Sequence, residues 1–346
     1  MTKSITSSFF GNLASGEQVV NYALRNANGI ELEVLNYGGI IRKLKLPNRN
    51  GIVENCVLGF DSLEEYVTKS PYFGAIIGRF GNRIAHGRFK LDNETFSLVQ
   101  NLGEHHLHGG IKGFDKVIWT VEEIHEKDAV ALKLTHHSPH LEEGYPGNLR
   151  TTVTYRLSDE DALEIDFKAT TDRTTLVNLT QHSYFNLSGQ SGTTILDHEL
   201  QLSANKLLDV DQALIPTGGY YSVENTPFDF NQKKTIGQDI FNDHPLLGFG
   251  QGYDHCYCFD SSSAVFNKIA TLSHPNSGRQ MDVYTTAPAM QLYTANHLNP
   301  PFVPHQAVCL EAQGYPDSPN HLNFPSAILT PAEEYHTRTE FKFTIV

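Results

Sequence analysis

Cysteine is scarce in this sequence. The only four among 346 residues are Cys56, Cys256, Cys258 and Cys309, and their spacing gives no disulfide framework. Cys256 and Cys258 would point to the same face of a strand, too close along it for a good disulfide. A reducing cytoplasm is therefore the expected compartment.

Long apolar runs and an excess of positive charge are also absent. No run of about 18 apolar residues occurs, so we expect no membrane-spanning helix. Residues 1–10 contain one lysine but no apolar stretch, which argues against an ordinary signal peptide. Lysine and arginine number 26 against 39 acidic residues, a net charge of -13. This charge argues against nucleic acid or an anionic membrane as a partner and favours a neutral ligand.

Several motifs of common enzyme classes are missing. No Walker loop, no dinucleotide-binding glycine fingerprint and no Gly-x-Ser-x-Gly turn occurs. Kinases, nicotinamide-dependent dehydrogenases and serine hydrolases therefore lose support. The pair His105 and His108 has no accompanying His-Glu-x-x-His or Cys-x-x-Cys motif, so its spacing does not support a metal site.

Alternating apolar and polar residues are the main structural signal, and they predict many short strands. Turn-forming residues separate these segments, which is typical of a β-sandwich or barrel. The clearest alternating segments are residues 129–134, 151–157, 163–169 and 341–345.

Helical signal is thin. Residues 62–65 form a capping box, which predicts a short helix near Tyr66. Residues 234–241 are expected to form a further turn or two of helix. Residues 330–333 resemble a helix start, but alternation resumes at Tyr335, so we interpret them as a turn into the last strand.

Two glycine-rich segments carry polar side chains suited to holding a small polar ligand. Residues 78–84 include Asn82 and Arg83, and residues 107–110 place His108 before two glycines. Glycine permits turns and close approach of a ligand. The alternative is that such an arginine ties two turns together, which fits Arg79 and Arg88 better.

A third polar segment, residues 178–187, contains His182. In a strand, Thr180, His182, Tyr184 and Asn186 would share one wholly polar face. This face suits the lining of a ligand site, although a buried, hydrogen-bonded histidine is an equally good interpretation from the pattern alone.

Two acidic residues stand out by their surroundings. Glu311 follows the apolar residues 307–310, which predicts a carboxylate on a buried strand, with unusual titration or a buried arginine partner. Asp254 lies in a glycine-rich turn, where it would bind ligand hydroxyls or cap the turn. Two histidines, an arginine and a carboxylate together provide the groups of an acid–base site.

These segments resemble the aldose 1-epimerase (galactose mutarotase) family. The matches follow the family order over nearly the whole chain: residues 36–39, 78–84, 107–110, 113–116, Trp119, 178–187, 252–255, 291–294 and 310–313. One departure is Gly39, where alanine is expected; it should not disturb the chemistry.

The resemblance implies a single domain over residues 1–346. The implied fold is mainly β, a large antiparallel β-sandwich (the galactose mutarotase-like supersandwich) with few short helices. It also implies interconversion of the α and β anomers of free sugars such as D-galactose and D-glucose, with no metal and no organic cofactor. The implied roles are general base for Glu311, general acid for His182, second active-site histidine for His108, and sugar binding for Asn82, Arg83, Asp254 and Gln291.

Three other functions stay open at this point. A hexose-6-phosphate 1-epimerase should show clustered basic residues, and Arg83 has no cationic neighbour among the implied site residues. A non-catalytic sugar-binding protein would not need Glu311 and both histidines. A glycoside hydrolase usually needs two carboxylates, and Asp254 could supply the second.

Overall fold

The computed structural model describes residues 2–259 and 265–346. Within these ranges the chain is built mainly from antiparallel β-strands, as the alternating sequence segments predict. The mainly-β fold class is confirmed.

The first half of the chain contains fourteen strands in the described ranges. They are β1 (Ser4–Asn12), β2 (Gln18–Arg25), β3 (Glu31–Leu35), β4 (Ile41–Pro47), β5 (Val53–Asn55), β6 (Ile76–Ile77), β7 (Arg83–Ile84), β8 (Arg88–Leu91), β9 (Glu94–Ser97), β10 (His106–Leu107), β11 (Thr120–His125), β12 (Ala129–Ser138), β13 (Leu149–Ser158) and β14 (Ala162–Thr171).

The second half adds thirteen strands in the described ranges. They are β15 (Thr175–Leu176), β16 (Thr180–Gln181), β17 (Glu199–Leu202), β18 (Lys206–Val210), β19 (Pro216–Ser222), β20 (Lys234–Thr235), β21 (Asp254–Cys258), β22 (Asn267–His274), β23 (Arg279–Thr285), β24 (Ala289–Tyr293), β25 (Cys309–Gln313), β26 (Ile328–Leu329) and β27 (Tyr335–Ile345).

Helices are short and few in the part of the chain that the structure describes. The α-helices are α1 (Leu63–Thr68) and α2 (Pro245–Gly250). Single 3₁₀ turns occupy Ala85–Gly87, Phe114–Lys116, Glu142–Gly144, Ile236–Gln238 and Ser318–Asn320. None of these helices is long and apolar enough to cross a membrane.

Three large sheets form the body of the molecule. The first has the order β1-β2-β3-β4-β5, the second β11-β12-β13-β14-β27-β23-β22-β17-β20, and the third β19-β18-β21-β24-β25. Two-stranded ladders (β10-β7, β16-β6, β15-β26 and β8-β9) connect them.

One large apolar cluster joins the three sheets. It contains Leu32 from the first sheet, Ile165 from the second and Leu292 from the third, all fully buried. Because side chains alternate along a strand, the opposite face of each sheet is left for polar residues. On β14 this alternation places Ile165 and Phe167 inside and leaves Asp166 partly exposed.

The predicted strand segments all lie within strands β12, β13, β14 and β27. The predicted helix near Tyr66 is α1, and Ser62 caps it, with the Glu65 N–H donating to Ser62 Oγ at 3.4 Å. The turn predicted within residues 234–241 is the 3₁₀ turn Ile236–Gln238. Residues 330–333 form a turn before β27, as expected, with the Glu333 N–H donating to the Thr330 carbonyl oxygen at 3.1 Å.

The strand considered for residues 178–187 is much shorter than the alternation indicates. β16 ends at Gln181, because its partner β6 offers only two residues for pairing. His182 and Tyr184 still lie close together, with ring centroids 5.0 Å apart. Asn186 lies elsewhere, where its amide donates to the carbonyl oxygens of Thr193 and Gln306.

Candidate active site

All seven residues selected from the sequence line one cavity of about 200 Å³. Pro71, Tyr72, Leu102, Leu107, Tyr184, Tyr293 and His297 complete its wall. The structure therefore brings together Asn82, Arg83, His108, His182, Asp254, Gln291 and Glu311.

The third sheet supplies the floor of this cavity. Gln291 on β24 lies directly opposite Glu311 on β25 in the antiparallel register. The neighbouring Leu292 and Leu310 belong to the large apolar core. Because adjacent side chains of a strand point to opposite faces, the polar pair faces the cavity.

Asp254 is the centre of a polar network beside this pair. Its Oδ1 accepts a hydrogen bond from Gln291 Nε2 at 2.6 Å, and its Oδ2 lies 3.3 Å from Arg83 Nη2. Arg83 Nη1 also donates to Asn82 Oδ1 at 3.1 Å. Four of the selected side chains are therefore held in fixed relative positions.

His108 is oriented by the backbone of Asn82. Strands β7 and β10 pair Arg83 with Leu107. This pairing brings the neighbouring residues Asn82 and His108 close together. The His108 N–H donates to the Asn82 carbonyl oxygen, and the Asn82 N–H donates to His108 Nδ1, both at 3.1 Å. Since Nδ1 accepts a proton donor, neutral His108 carries its own proton on Nε2.

The glycine after His108 is required by a close backbone approach. Gly109 has φ of 86°, and a Cβ atom there would lie 1.8 Å from the Gly78 carbonyl oxygen. His108 and Asn82 also have positive φ values, 51° and 68°. Such backbone conformations are uncommon outside glycine and cluster at functional sites.

His182 and Glu311 form the most deeply buried titratable pair in the cavity. His182 Nε2 lies 3.6 Å from Glu311 Oε1, and the two residues are only 4% and 2% exposed. Among the described residues, His182 Nδ1 and Glu311 Oε2 have no hydrogen-bond partner. The alternative of a buried ion pair between Glu311 and an arginine is not found in this part of the chain, where Arg83 pairs with Asp254.

Burial shifts the pKa values of these groups in opposite directions. It raises the pKa of Glu311 well above its usual range, and the negative charge of Asp254 raises it further. Burial lowers the pKa of His182 to about 4. Burial, followed by the nearby His182 and Arg83, holds the pKa of His108 well below its usual range. Groups with such shifts are characteristic of catalytic sites.

The aromatic wall of the cavity is the part that the sequence analysis missed. Tyr72 contacts both histidine rings, with centroid distances of 4.7 Å to His108 and 5.9 Å to His182. The ring centroid of Tyr293 lies 6.3 Å from that of His182. Among these three tyrosines, only Tyr184 was indicated by the sequence, because it stands two residues after His182 in a polar segment.

Three of the cavity residues have the atoms of a metal site but not the right proton arrangement. His108, His182 and Glu311 each offer a ligand atom within 4.8 Å of the other two. A metal-binding histidine normally donates its second ring N–H to an acceptor. His108 Nδ1 instead accepts the Asn82 N–H. This leaves two suitable ligands, and metal sites usually need at least three.

A second such cluster lies elsewhere, formed by Asp197, His198 and His274. His198 Nε2 accepts the Leu187 N–H at 2.9 Å, and His274 Nδ1 accepts the Ser277 N–H at 3.2 Å. Both histidines therefore direct their remaining ring N–H towards the Asp197 carboxylate. This arrangement satisfies the carboxylate internally and does not suit a metal ion.

Chemistry, and not size, distinguishes the candidate site from other cavities. A cavity of about 670 Å³ is lined by residues such as Tyr315, Tyr335 and His336, and no described residue on its wall is a carboxylate. Another of about 210 Å³ has an amide, hydroxyl, glycine and apolar lining, without a titratable side chain among the described residues. The protein is thus a mainly-β protein whose candidate site combines titratable and polar side chains in a cavity sized for a small molecule.

Comparison with known proteins identifies the particular family. A family model for aldose 1-epimerase matches residues 21–342. The chain is 40% identical to a galactose mutarotase from Bos taurus, covering 99% of both chains. It is 36% identical to an aldose 1-epimerase from Escherichia coli, covering 92% of this chain and 94% of the relative. The chain belongs to the aldose 1-epimerase family and is an isomerase that acts on carbohydrates.

A solved structure supports the same assignment. The crystal structure of galactose 1-epimerase from Lactobacillus acidophilus matches with a TM-score of 0.89 and 30% identity, covering 99% of both chains. The resemblance and the fold expected from the sequence motifs are therefore confirmed.

Proposed function

We propose that the protein interconverts the α and β anomers of free aldohexoses such as D-galactose and D-glucose. The names of the relatives support galactose as a substrate. The observation that carries the proposal is the buried pair of His182 and Glu311, 3.6 Å apart on the wall of a small polar cavity. An acid and a base at this separation can act on one sugar ring.

The pair shares one mobile proton. With that proton on His182 the pair is an imidazolium and a carboxylate, and with it on Glu311 both groups are neutral. The opposite pKa shifts of the two groups favour the neutral form in a dry cavity. A polar sugar that stabilises the charged form would leave Glu311 as base and His182 as acid.

Ring opening then requires two proton transfers. Glu311 takes the proton of the anomeric hydroxyl as the carbon–oxygen double bond forms. His182 gives a proton to the ring oxygen as its bond to C1 breaks. The aldehyde turns about the C1–C2 bond, and both transfers reverse as the ring closes on the other face. No nucleophile or redox centre takes part, and the protein ends in its starting protonation state.

The remaining site residues would bind the sugar hydroxyls. Asp254 and Gln291 offer oxygen acceptors, while Arg83 and the Nε2–H of His108 offer donors. Gln291 Oε1 has no hydrogen-bond partner within residues 2–259 and 265–346, so it can accept one from a ligand. The network through Asp254 fixes these groups before the sugar binds, which reduces the entropy cost of binding.

The charges favour a neutral sugar over a sugar phosphate. Arg83 is the one lysine or arginine among the described residues that line the cavity, and it is paired with Asp254. A phosphate would place two negative charges beside Asp254 and Glu311 without a free cation to balance them.

We also propose that residues 1–346 act as one domain and that the protein works in the cytoplasm. The family model spans residues 21–342, which supports a single unit. The four cysteines are all buried and none is paired in a disulfide among the described residues, which suits a reducing compartment.

Polarimetry on freshly dissolved α-D-galactose tests the proposal, with Glu311→Gln as the main variant. The amide keeps the size of the carboxyl group but cannot act as a base. We expect kcat to fall by about 10²–10⁴-fold with a smaller change in KM, because positioned acid–base groups contribute this much. EDTA should leave the wild-type rate unchanged.

The matched control is Glu64→Gln, which makes the same change on the exposed side of α1. It should keep the wild-type rate. Near-wild-type turnover by Glu311→Gln would show that the base is another group. If the wild-type protein accelerates only D-glucose 6-phosphate, the phosphosugar function is correct. If it binds galactose without accelerating mutarotation, it is a sugar-binding protein.

A further inference from the structure

The imidazole of His182 stacks against two tyrosine rings that run nearly parallel to it. The Tyr184 ring centroid is 5.0 Å away with an interplanar angle of 12°, and the Tyr72 centroid is 5.9 Å away with an angle of 16°. Rotation of the imidazole about its Cβ–Cγ bond would drive its edge into these rings. The plane of His182 is therefore fixed by packing.

The two tyrosines are also tied to each other. The Tyr184 hydroxyl donates to the carbonyl oxygen of Pro71 at 2.8 Å, and Pro71 is the residue before Tyr72. The Tyr72 ring further packs edge-on against His108, 4.7 Å between centroids. One side chain on the cavity wall thus contacts both histidines of the site.

We propose that Tyr72 is a positioning residue of the isomerase reaction, acting through His182. This inference rests on the acid role proposed for His182. The Tyr72 ring, together with that of Tyr184, holds the imidazole of His182 in one plane. In this plane Nε2 points at Glu311 Oε1 and at a sugar bound beside the two residues. Misplacement of a reacting group by about 1 Å can cost about 10²-fold in rate.

The Tyr72 ring and backbone are themselves held in place by neighbouring residues. Its backbone has φ of 67°, a conformation that costs energy for a non-glycine residue. Lys116 Nζ lies over its ring, 5.7 Å from the centroid. Lys116 is fixed in turn by Asp115 Oδ2 at 3.2 Å and by the Ile111 carbonyl oxygen at 2.9 Å. This gives the segment of Asp115 and Lys116 a role in the site.

The test replaces Tyr72 by leucine and, as a matched control, by phenylalanine. Leucine keeps an apolar side chain at the same backbone conformation but removes the flat ring, whereas phenylalanine keeps the ring. Polarimetry on α-D-galactose should show kcat lowered by about 10–100-fold in Tyr72→Leu with KM within about threefold. Tyr72→Phe should stay within about threefold of wild type in both.

A spectroscopic readout separates positioning from general destabilisation. In the stacked arrangement the aromatic rings shield the Hε1 proton of His182, so its NMR signal lies upfield. The signal can be assigned by its loss in His182→Gln. It should move downfield in Tyr72→Leu and stay in place in Tyr72→Phe. If the leucine variant does not fold, Tyr72→Asn replaces it, since asparagine tolerates a positive φ.

The outcomes distinguish this inference from the proposed function. If the wild-type protein does not accelerate mutarotation, the proposed function is wrong. If the wild type is active and Tyr72→Leu keeps its kcat, only the role of Tyr72 is wrong. A change confined to KM, or a kcat loss without movement of the His182 signal, would also overturn the positioning role.

Discussion

Replacing Arg79 tests what holds the loops around the site in place. This arginine is 2% exposed and donates five hydrogen bonds. Nε donates to Ser138 Oγ, Nη1 to the carbonyl oxygens of Pro146 and Gly147, and Nη2 to those of Ser138 and Pro139, at 2.7–3.0 Å. One side chain therefore ties two turns together, as the sequence analysis favoured for it.

The variant Arg79→Met removes every donor while keeping much of the apolar stem. Burial lowers the pKa of Arg79 to about 10, so the group is charged at neutral pH and its hydrogen bonds are charge-assisted. Four backbone carbonyl oxygens lose their guanidinium donor. The Pro139 carbonyl oxygen lies at an exposed residue and keeps the Glu142 N–H as a donor at 3.0 Å. At about 1 kcal/mol for each of the three remaining buried acceptors, the free energy of unfolding should fall by about 3 kcal/mol. That is a large share of the total of about 5–15 kcal/mol typical of proteins.

Urea unfolding provides the measurement, and the chain offers its own probe. Trp119 is the only tryptophan, is 1% exposed and donates its ring N–H to the Phe114 carbonyl oxygen. Its fluorescence should follow the transition. Arg88→Met is the matched control, because Arg88 is exposed and such changes usually stay within about 0.5 kcal/mol. A loss below about 1 kcal/mol for Arg79→Met would refute the reasoning.

Two further predictions concern the site. In Asp254→Asn, the whole pH profile of kcat should move to lower pH, because the negative charge of Asp254 raises the pKa of both Glu311 and His182. Without this charge Glu311 loses its proton at lower pH, so the fall of kcat on the alkaline side begins at lower pH. His182 gains its proton only at lower pH, so the fall of kcat on the acid side also shifts to lower pH. Stopped-flow polarimetry across pH should show both shifts, and limbs that move in opposite directions would contradict this. Gly109→Ala should abolish activity and lower the thermal midpoint, because its Cβ atom would lie 1.8 Å from the Gly78 carbonyl oxygen. Gly103→Ala is the control, because Gly103 also has a positive φ, 58° against 86°, but open space around its Cβ position. Equal effects of the two alanine variants, by calorimetry and activity, would show that backbone conformation alone matters.

Local patterns predicted those parts of the fold that depend on neighbouring residues. The alternation of β14 and the capping box at Ser62 require only the sequence around them. The helix α2 (Pro245–Gly250) was missed because it contains two glycines and is capped by the His244 ring, which accepts the Leu246 N–H. His244 is not among the usual helix-capping residues.

The site residues also divide into those with a local sequence signal and those placed by remote contacts. Glu311 stood out because an acid after an apolar strand segment is costly wherever it lies. Tyr72 had no such signal, since its place depends on a positive φ and on packing against His108 and His182, which are remote in sequence. The assignment of catalytic roles and of a single domain over residues 1–346 stays a prediction.

The position of β27 has a consequence for how the protein is made. It is the last strand along the described chain, yet it lies at the centre of the nine-stranded sheet, between β14 and β23. During synthesis the central strand of this sheet therefore leaves the ribosome after the other eight. Until then β14 and β23 each present an unpaired edge, and such edges attract strands of other chains. Both edges can be covered only once residues 335–345 have emerged.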